Sequence, residues 1–235
     1  MNYVYAGSEL ELFSSATNWK SYFSRILAPH IGGRVLEVGA GIGSNIPYLH
    51  TPAVREWVSL EPDAALASRI SQRVAAGELP NDCKVVIGTA AQIERAPAYD
   101  TILYIDVLEH IEDDAGELAC AAERLAPNGR LIVLAPAHQF LFSRFDESVG
   151  HYRRYNRRTL TALRPPGCRL VACQMLDSTG FFASLSNWFL RAAVPSPGQI
   201  KVWDKLLVPV SRHLDWLTTF RFGKTIVAIW SPSSS

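Results

Sequence analysis

Residues 34–43 read Arg34-Val35-Leu36-Glu37-Val38-Gly39-Ala40-Gly41-Ile42-Gly43, and this stretch decides the fold. Arg34 to Val38 is a short apolar run that ends in a glycine-rich turn, the pattern of a buried strand. Glycines at such a junction let the backbone turn sharply from strand to helix. They also let a ligand approach without meeting a Cβ. A ligand there would face free amide N–H groups at a helix N-terminus. Taken alone, a Gly-x-Gly-x-Gly turn is shared by many nucleotide binders, and it also serves as a tight connection that binds nothing.

Beyond this turn the chain alternates. Ser44 to Leu49 begins a helix, Trp57 to Leu60 makes a second strand, and Ala64 to Ala76 a second helix. Lys84–Ile87, Thr101–Ile105 and Leu131–Ala135 follow as strands. Asp113 to Leu125 is helical and stops at the turn Pro127-Asn128-Gly129. Further on, Arg157–Leu163 has helical character, while Arg169–Gln174 and Lys224–Trp230 have that of strands. Short apolar strands alternating with helices predict an α/β fold, a Rossmann-like, seven-stranded, mostly parallel sheet with helices on both faces. Before it, Leu12, Ala16, Trp19, Phe23 and Ile26 recur at helical spacing, which predicts a helix or helix pair from Ser8 to Leu27. The long connection Leu176–Phe222 holds Phe181, Phe182, Trp188, Phe189, Trp203, Trp216 and Phe220. It predicts a helical aromatic cap inserted before the last strand rather than a passive loop.

The 235 residues are 48% hydrophobic and 19% charged, with net charge +1. That composition excludes a disordered chain, and the lack of a basic stripe argues against a nucleic-acid partner. Cys83, Cys120, Cys168 and Cys173 show no CxxC spacing, which fits reduced, buried thiols in a cytoplasmic protein. Met1 to Glu11 lacks the basic start and apolar run of a signal peptide, and no run approaches the roughly 20 apolar residues of a membrane span. Nothing here fixes an oligomeric state.

Two acids sharpen the reading of the turn. Glu37 stands two residues before the first glycine. Glu61 closes the next strand, about 20 residues on, where the ribose hydroxyls of a nucleoside would lie. Glu61 also reads as a helix N-terminal acid before Pro62-Asp63. At these residues the chain resembles the class I S-adenosylmethionine-dependent methyltransferases, whose signature of an acid and then Gly-x-Gly-x-Gly matches Glu37 to Gly43. The dinucleotide-binding pattern Gly-x-Gly-x-x-Gly is not met, because Ser44 stands three residues after Gly41. The resemblance continues through Gly88-Thr89-Ala90-Ala91, Tyr99-Asp100, Asp106-Val107-Leu108-Glu109-His110 and Leu125-Ala126-Pro127-Asn128-Gly129, and covers residues 34–136.

The resemblance implies S-adenosyl-L-methionine as cofactor. It implies that Gly39 and Gly41 pass beneath it, with Ala40, Asn45 and Pro62 alongside. Glu37 would serve the methionine amino group, Glu61 the ribose, Ala90 and Ala91 the adenine, and Asp106 with Val107 the methionine portion. Many relatives carry Asp at the position of Thr89, so here the adenine would depend on backbone contacts. The expected organisation is one domain over 1–235: an N-terminal helical segment 1–33, a cofactor-binding core 34–136, and a substrate-side half 137–235 with its cap at about 176–222.

Methyl transfer needs alignment and, for a hydroxyl or amine acceptor, a base. His110 and His138, at the ends of the fourth and fifth strands, and His151, in Gly150-His151-Tyr152-Arg153-Arg154-Tyr155, are the candidates. Each also has a bland reading. His110 could be a surface or capping histidine, and the arginines could simply pair with Asp146 and Glu147. A similar Gly-His-Tyr-Arg-Arg-Tyr block in a bacterial subgroup of these enzymes implies a substrate or lid role. Tyr152 and Arg154 of that block, Phe181 and Trp188 of the cap and Tyr22 of the N-terminal helix are the candidate acceptor contacts, with Trp19 and Tyr22 closing over the cofactor; the cap aromatics also read as the cap's own core. Asp106-x-x-Glu109-His110 with His151 resembles the Glu-x-x-Glu-His set of the ubiquinone-biosynthesis O-methyltransferases and small-RNA ribose methyltransferases. Asp106 is shorter than that set requires, and no metal is expected. The expected function is methylation of a small hydrophobic or aromatic acceptor on oxygen, nitrogen or carbon. The alternatives are a cofactor-bound cyclase or isomerase, an RNA methyltransferase, and a non-catalytic binding subunit.

Overall fold

In a computed structural model of the chain, which describes residues 9–94, 99–189 and 196–233, seven strands form one sheet. They are β1 (Gly33–Val38), β2 (Val54–Glu61), β3 (Cys83–Ile87), β4 (Tyr99–Ile105), β5 (Leu125–Pro136), β6 (Cys168–Leu176) and β7 (Thr225–Pro232). Their order is β3-β2-β1-β4-β5-β7-β6. The first five pair in parallel, and β7 runs antiparallel between β5 and β6.

The helices in chain order are α1 (Glu9–Ser14), α2 (Thr17–Leu27), α3 (Ile46–Leu49), α4 (Ala64–Ala75), α5 (Asp114–Ala122), α6 (Arg144–Ser148), α7 (Arg157–Ala162), α8 (Ser178–Phe189), α9 (Pro197–Val202) and α10 (Val208–Leu217). Alternate strand residues face opposite cores. Leu36, Val58, Ile102, Tyr104 and Leu131 pack with Leu118 of α5 and Leu160 of α7. Val35, Trp57, Leu103, Ile105 and Ile132 pack with Phe23 and Leu27 of α2 and Ile70 of α4. Burial on both faces is why these strands are continuously apolar rather than alternating. Each fully buried aliphatic chain contributes about 1.5–3 kcal/mol.

Three boundaries differ from the sequence expectation. The helix expected at 44–49 is the single turn α3, whose start carries Pro47 and so lacks one donor. The helix expected to reach Leu125 ends at Ala122, and β5 already begins at Leu125. Pro127-Asn128-Gly129 is therefore not the stop before a strand at 131 but an irregularity inside β5. There the partner steps from Tyr99 opposite Leu125 to Thr101 opposite Arg130, leaving the proline outside the ladder.

The cap comprises α8, α9, a π-helical turn (Trp203–Leu207) and α10. Buried acids tie it down. Asp204 accepts the backbone N–H groups of Asn18 and Trp19, at 3.2 and 2.9 Å, and so caps α2 from 186 residues away. Asp215 accepts the Tyr22 hydroxyl at 2.7 Å and the backbone N–H groups of Asp177 and Ser178. Asp177 accepts from Trp203 Nε1 and Ser211 Oγ. The N-terminal helices and the cap thus share one polar seam.

Candidate active site

The glycine turn leaves β1 with Gly39 at φ +67° and Gly41 at φ +58°, the left-handed region that favours glycine. A Cβ on Gly39 would lie 2.7 Å from a methyl of Val107, so this glycine is required by the close approach of the β4 end. On Gly41 a Cβ would meet Leu10 of α1 at 3.3 Å. The free amides expected here are not free. Gly39 and Ala40 N–H both donate to Leu60 O, Gly43 N–H donates to Ala40 O, and Gly41 N–H donates to Glu61 Oε2 at 2.7 Å. The turn is closed on itself and offers its surface, rather than these four donors, to a ligand.

Glu61, at the end of β2, is buried, and its other oxygen accepts Asp63 N–H at 2.9 Å. Burial raises its pKa, and these two amide bonds lower it. Each oxygen keeps a lone pair for a hydroxyl. Pro62 is half-buried after it. Asp63 caps α4 with bonds to Ala65 and Leu66 N–H, so the capping role weighed for Glu61 belongs to Asp63. Ala90 is buried and Ala91 exposed beyond β3. Thr89 and Gln92 form a capping box there.

Beside the turn lies a cavity of about 1240 Å³ walled by Gly39–Ile42, Asn45, Ile105 and Asp106. This exceeds the roughly 300–1,000 Å³ of a single small-ligand site, so two molecules can lie side by side. The roof supplies Phe13, Trp19, Phe142, Phe145, Trp203 and Leu207. Lys20 of α2, unmarked in the sequence, enters the same wall. Its Nζ donates to Ser44 Oγ and to Asn45 Oδ1, both at 3.1 Å, while Asn45 Nδ2 donates to Glu37 Oε1 at 3.2 Å. Burial lowers the Lys20 pKa, opposed by Asp106 and Glu37. Burial pushes Glu37 up to about 7, against the Asn45 bond and the Lys20 charge. Asp106 sits at φ +54°, a strained position that Asp tolerates better than most residues. Burial among the pocket walls raises its carboxyl, with Lys20, His151 and Lys224 opposing.

These features fit S-adenosylmethionine. Lys20 with Asn45 offers a cation and an amide for a carboxylate, Asp106 an anion for an ammonium group, and Glu61 lone pairs for a diol. These residues stand around a turn with no side chains at Gly39 and Gly41.

The three histidines part company. His110 and His151 line the cavity with ring centroids 4.5 Å apart. His138, at φ +68°, bonds through Nε2 to Gly223 O at 2.9 Å and packs among Phe140, Phe181 and Phe222, away from that lining. The expectation of a third catalytic histidine at the crevice is not met, because the left-handed turn after β5 points this ring into the cap. His151 Nδ1 lies 2.9 Å from Asp146 Oδ1, and Nε2 lies 3.9 Å from Glu109 Oε1. Asp146 also receives Arg154 Nε and Nη2 at 2.7 and 2.8 Å, and Ser143 N–H and Oγ. Burial alone would raise Asp146, but the His151 and Arg154 bonds outweigh it and hold the carboxyl well below the usual range. Burial, with the neighbouring His151, lowers His110 to about 4. Glu109 is sealed, neither carboxylate oxygen has a hydrogen-bond partner among the described residues, and burial followed by the Asp106 charge lifts its pKa well above normal. Glu109, His110 and His151 bring ligand-type atoms within 4.8 Å of one another, a carboxylate and two imidazoles that could hold a divalent cation.

Of the expected acceptor contacts, Arg154 lines the cavity but is committed to Asp146. Arg153 pairs with Asp114, not Glu147. Tyr152 is exposed, with its N–H on Glu109 O. Phe181 stands in the cluster around His138, and Tyr22 is buried on Asp215 behind Trp19, so the structure moves both off the lining. The Trp188 side chain lies outside the described residues. Asp146 as the partner of His151 was visible in the sequence only as a nearby acid.

A family model described as a methyltransferase domain matches residues 14–181. The chain is 25% identical over 186 residues to a demethylmenaquinone methyltransferase from Tropheryma whipplei strain Twist, covering 75% of this chain and 69% of that one. Among solved structures it is similar to geranyl diphosphate methyltransferase in complex with S-adenosylmethionine (TM-score 0.66, 11% identity, 97% of this chain and 91% of that one). It is also similar to the cyclase SpnF (TM-score 0.65, 13% identity, 97% and 95%). The glycine turn, the acids at the strand ends and the family match lead to one conclusion: the chain belongs to the methyltransferase-domain family and is an S-adenosyl-L-methionine-dependent methyltransferase.

Proposed function

We propose that the enzyme methylates a small hydrophobic or aromatic acceptor, with His151 as the general base. The observation that carries this reading is the Asp146–His151 contact at the floor of a cavity with an aromatic roof. With Nδ1 bonded to a carboxylate held as an anion, Nε2 is the nitrogen left to take a proton from the cavity. The arrangement suits removal of a proton from a hydroxyl or amine. His110, held neutral by burial, packs against that ring and limits its tilt.

Lys20, Asn45, Asp106 and Glu61 would bind and orient S-adenosylmethionine, with Ala40, Pro62, Ala90, Ala91 and Val107 as its nonpolar surround. When bound, the cofactor supplies an electrophilic methyl on sulfur, and the walls hold acceptor and methyl in line while excluding water. Phe13, Trp19, Phe142, Phe145 and Trp203 suit an apolar acceptor. The similar demethylmenaquinone methyltransferase is named for a quinone-type acceptor, and the similar geranyl diphosphate methyltransferase for one that joins an apolar prenyl chain to a diphosphate. The balanced charge favours no nucleic-acid partner. The four free cysteines accord with a cytoplasmic site.

The fold likeness to SpnF keeps a cyclase as the second reading. The test is incubation with S-adenosylmethionine and a panel of quinol, phenol and prenyl acceptors, monitored for S-adenosylhomocysteine. Acceptor-dependent release supports transfer. Micromolar cofactor binding with no release across the panel, together with rearrangement of a polyene, would favour the cyclase.

A further inference from the structure

The helical run from Pro197 to Leu217 has two chemically different sides. Its inner side buries Ile200, Trp203 and Val208 and contributes Ile200, Trp203 and Leu207 to the cavity roof. Its outer side carries Leu206, Val210, Leu214 and Leu217, in steps of four and then three, with Trp216 beside them. Leu206 is 62% exposed, Leu217 66% and Trp216 70%. Steps of four drift round an ordinary α-helix, and the wider π-helical turn Trp203–Leu207 offsets part of that drift, so the row stays continuous. Tryptophan and leucine exposed together in a row differ from the scattered single apolar residues that any surface carries.

The charges on this run are sorted by sign. Lys201 and Lys205 are exposed and Arg212 is half-buried, whereas both acids, Asp204 and Asp215, are buried as hydrogen-bond acceptors for α2 and α8. The whole chain is balanced, 23 basic residues against 22 acidic, so this sorting is local. The outer face is apolar and basic, and its own acids point inward.

We propose that this face docks on the surface of an anionic lipid bilayer. Leu206, Trp216 and Leu217 would enter the headgroup boundary while Lys201, Lys205 and Arg212 meet lipid phosphates. The contact is peripheral, since among the described residues no helix is long and apolar enough to cross a membrane. A second copy of the chain fits less well, because pairing this face with itself would set like charges against each other. The inference rests on the outer face alone and stands whichever acceptor the cavity takes. Docking would nevertheless lay the roof of the cavity against the lipid.

The test is co-sedimentation of the full chain with vesicles of phosphatidylglycerol and phosphatidylcholine, and with vesicles of phosphatidylcholine alone. The expected result is pelleting with the anionic vesicles, weakened by salt, and little with the neutral ones. The double variants L206E/W216E and K201E/K205E should each weaken vesicle binding at least about tenfold while leaving S-adenosylmethionine affinity unchanged, which also reports that they fold. Failure of the wild-type chain to bind anionic vesicles at low salt would overturn the proposal. So would binding that neither variant weakens, or a self-association seen by sedimentation velocity that L206E/W216E abolishes in the absence of lipid binding.

Discussion

Asp146 Oδ1 lies 2.9 Å from Nδ1 of His151, which decides which nitrogen of that ring meets the cavity. Replacing His151 by Ala should lower kcat by about 10²–10⁴-fold, the usual contribution of a positioned base, and leave cofactor affinity within about twofold. Asp146→Asn should also lower kcat, by reversing the favoured tautomer, and the wild-type level should not return at higher pH. Turnover of both variants near the wild-type rate would remove this pair from the proton path.

The pH dependence of stability separates two buried groups of opposite sign. His110 falls from 6.5 unfolded to about 4 folded, so the unfolded chain takes a proton first and stability is lost as pH drops from about 6.5 to 4. Glu37 rises from 4.5 to about 7, so its contribution is lost as pH rises through that window. Glu37→Gln should therefore raise stability at pH 8 by about 1–3 kcal/mol in urea unfolding, and weaken cofactor binding. His110→Gln should lose less stability than the wild type between pH 7.5 and 5.

Glu61→Ala should weaken S-adenosylmethionine binding by about 1.5–3 kcal/mol, as expected for charge-assisted hydrogen bonds. Because Glu61 also holds the Gly41 and Asp63 amides, Glu61→Gln should keep much of the turn and lose less. Calorimetry on both variants checks this, and unchanged affinity in Glu61→Ala would take the residue out of the site.

Asp204→Ala removes the acceptor for three donors on Asn18 and Trp19. It should cost about 2–4 kcal/mol of stability, near the sum of a lost cap and an unsatisfied buried donor. Asp204→Asn should recover part of that loss in the same unfolding assay.

Exhaustive chelation should leave turnover unchanged, because His151 is proposed to act on protons. Loss of activity that Mg²⁺, Mn²⁺ or Zn²⁺ restores would reassign Glu109, His110 and His151 to a metal.

Much of this was legible from short-range pattern. The apolar runs of β1, β2 and β4 are buried on both faces and say so in composition. The glycine turn and Glu61 follow from a spacing that the parallel crossover imposes. Lys20 was not legible, since nothing in an amphipathic helix marks a lysine that folds inward to Ser44 and Asn45. Nor were Asp204 and Asp215, whose donors lie 186 and 193 residues away. His138 illustrates the opposite error, because its place after a strand suggested the crevice. A positive φ, invisible in sequence, turned it elsewhere.

The bonds from Asp204 to the start of α2 also set an order of events during synthesis. The second helix leaves the ribosome with its first amides uncapped, and its acceptor arrives only 186 residues later. Strands β1 to β5 can pair long before then, whereas β7 must wait and slide in between β5 and β6. A nascent chain halted short of residue 204 would carry the glycine turn and most of its sheet with the second helix still waiting for its cap, so the binding site would become competent only after residue 204 has been made.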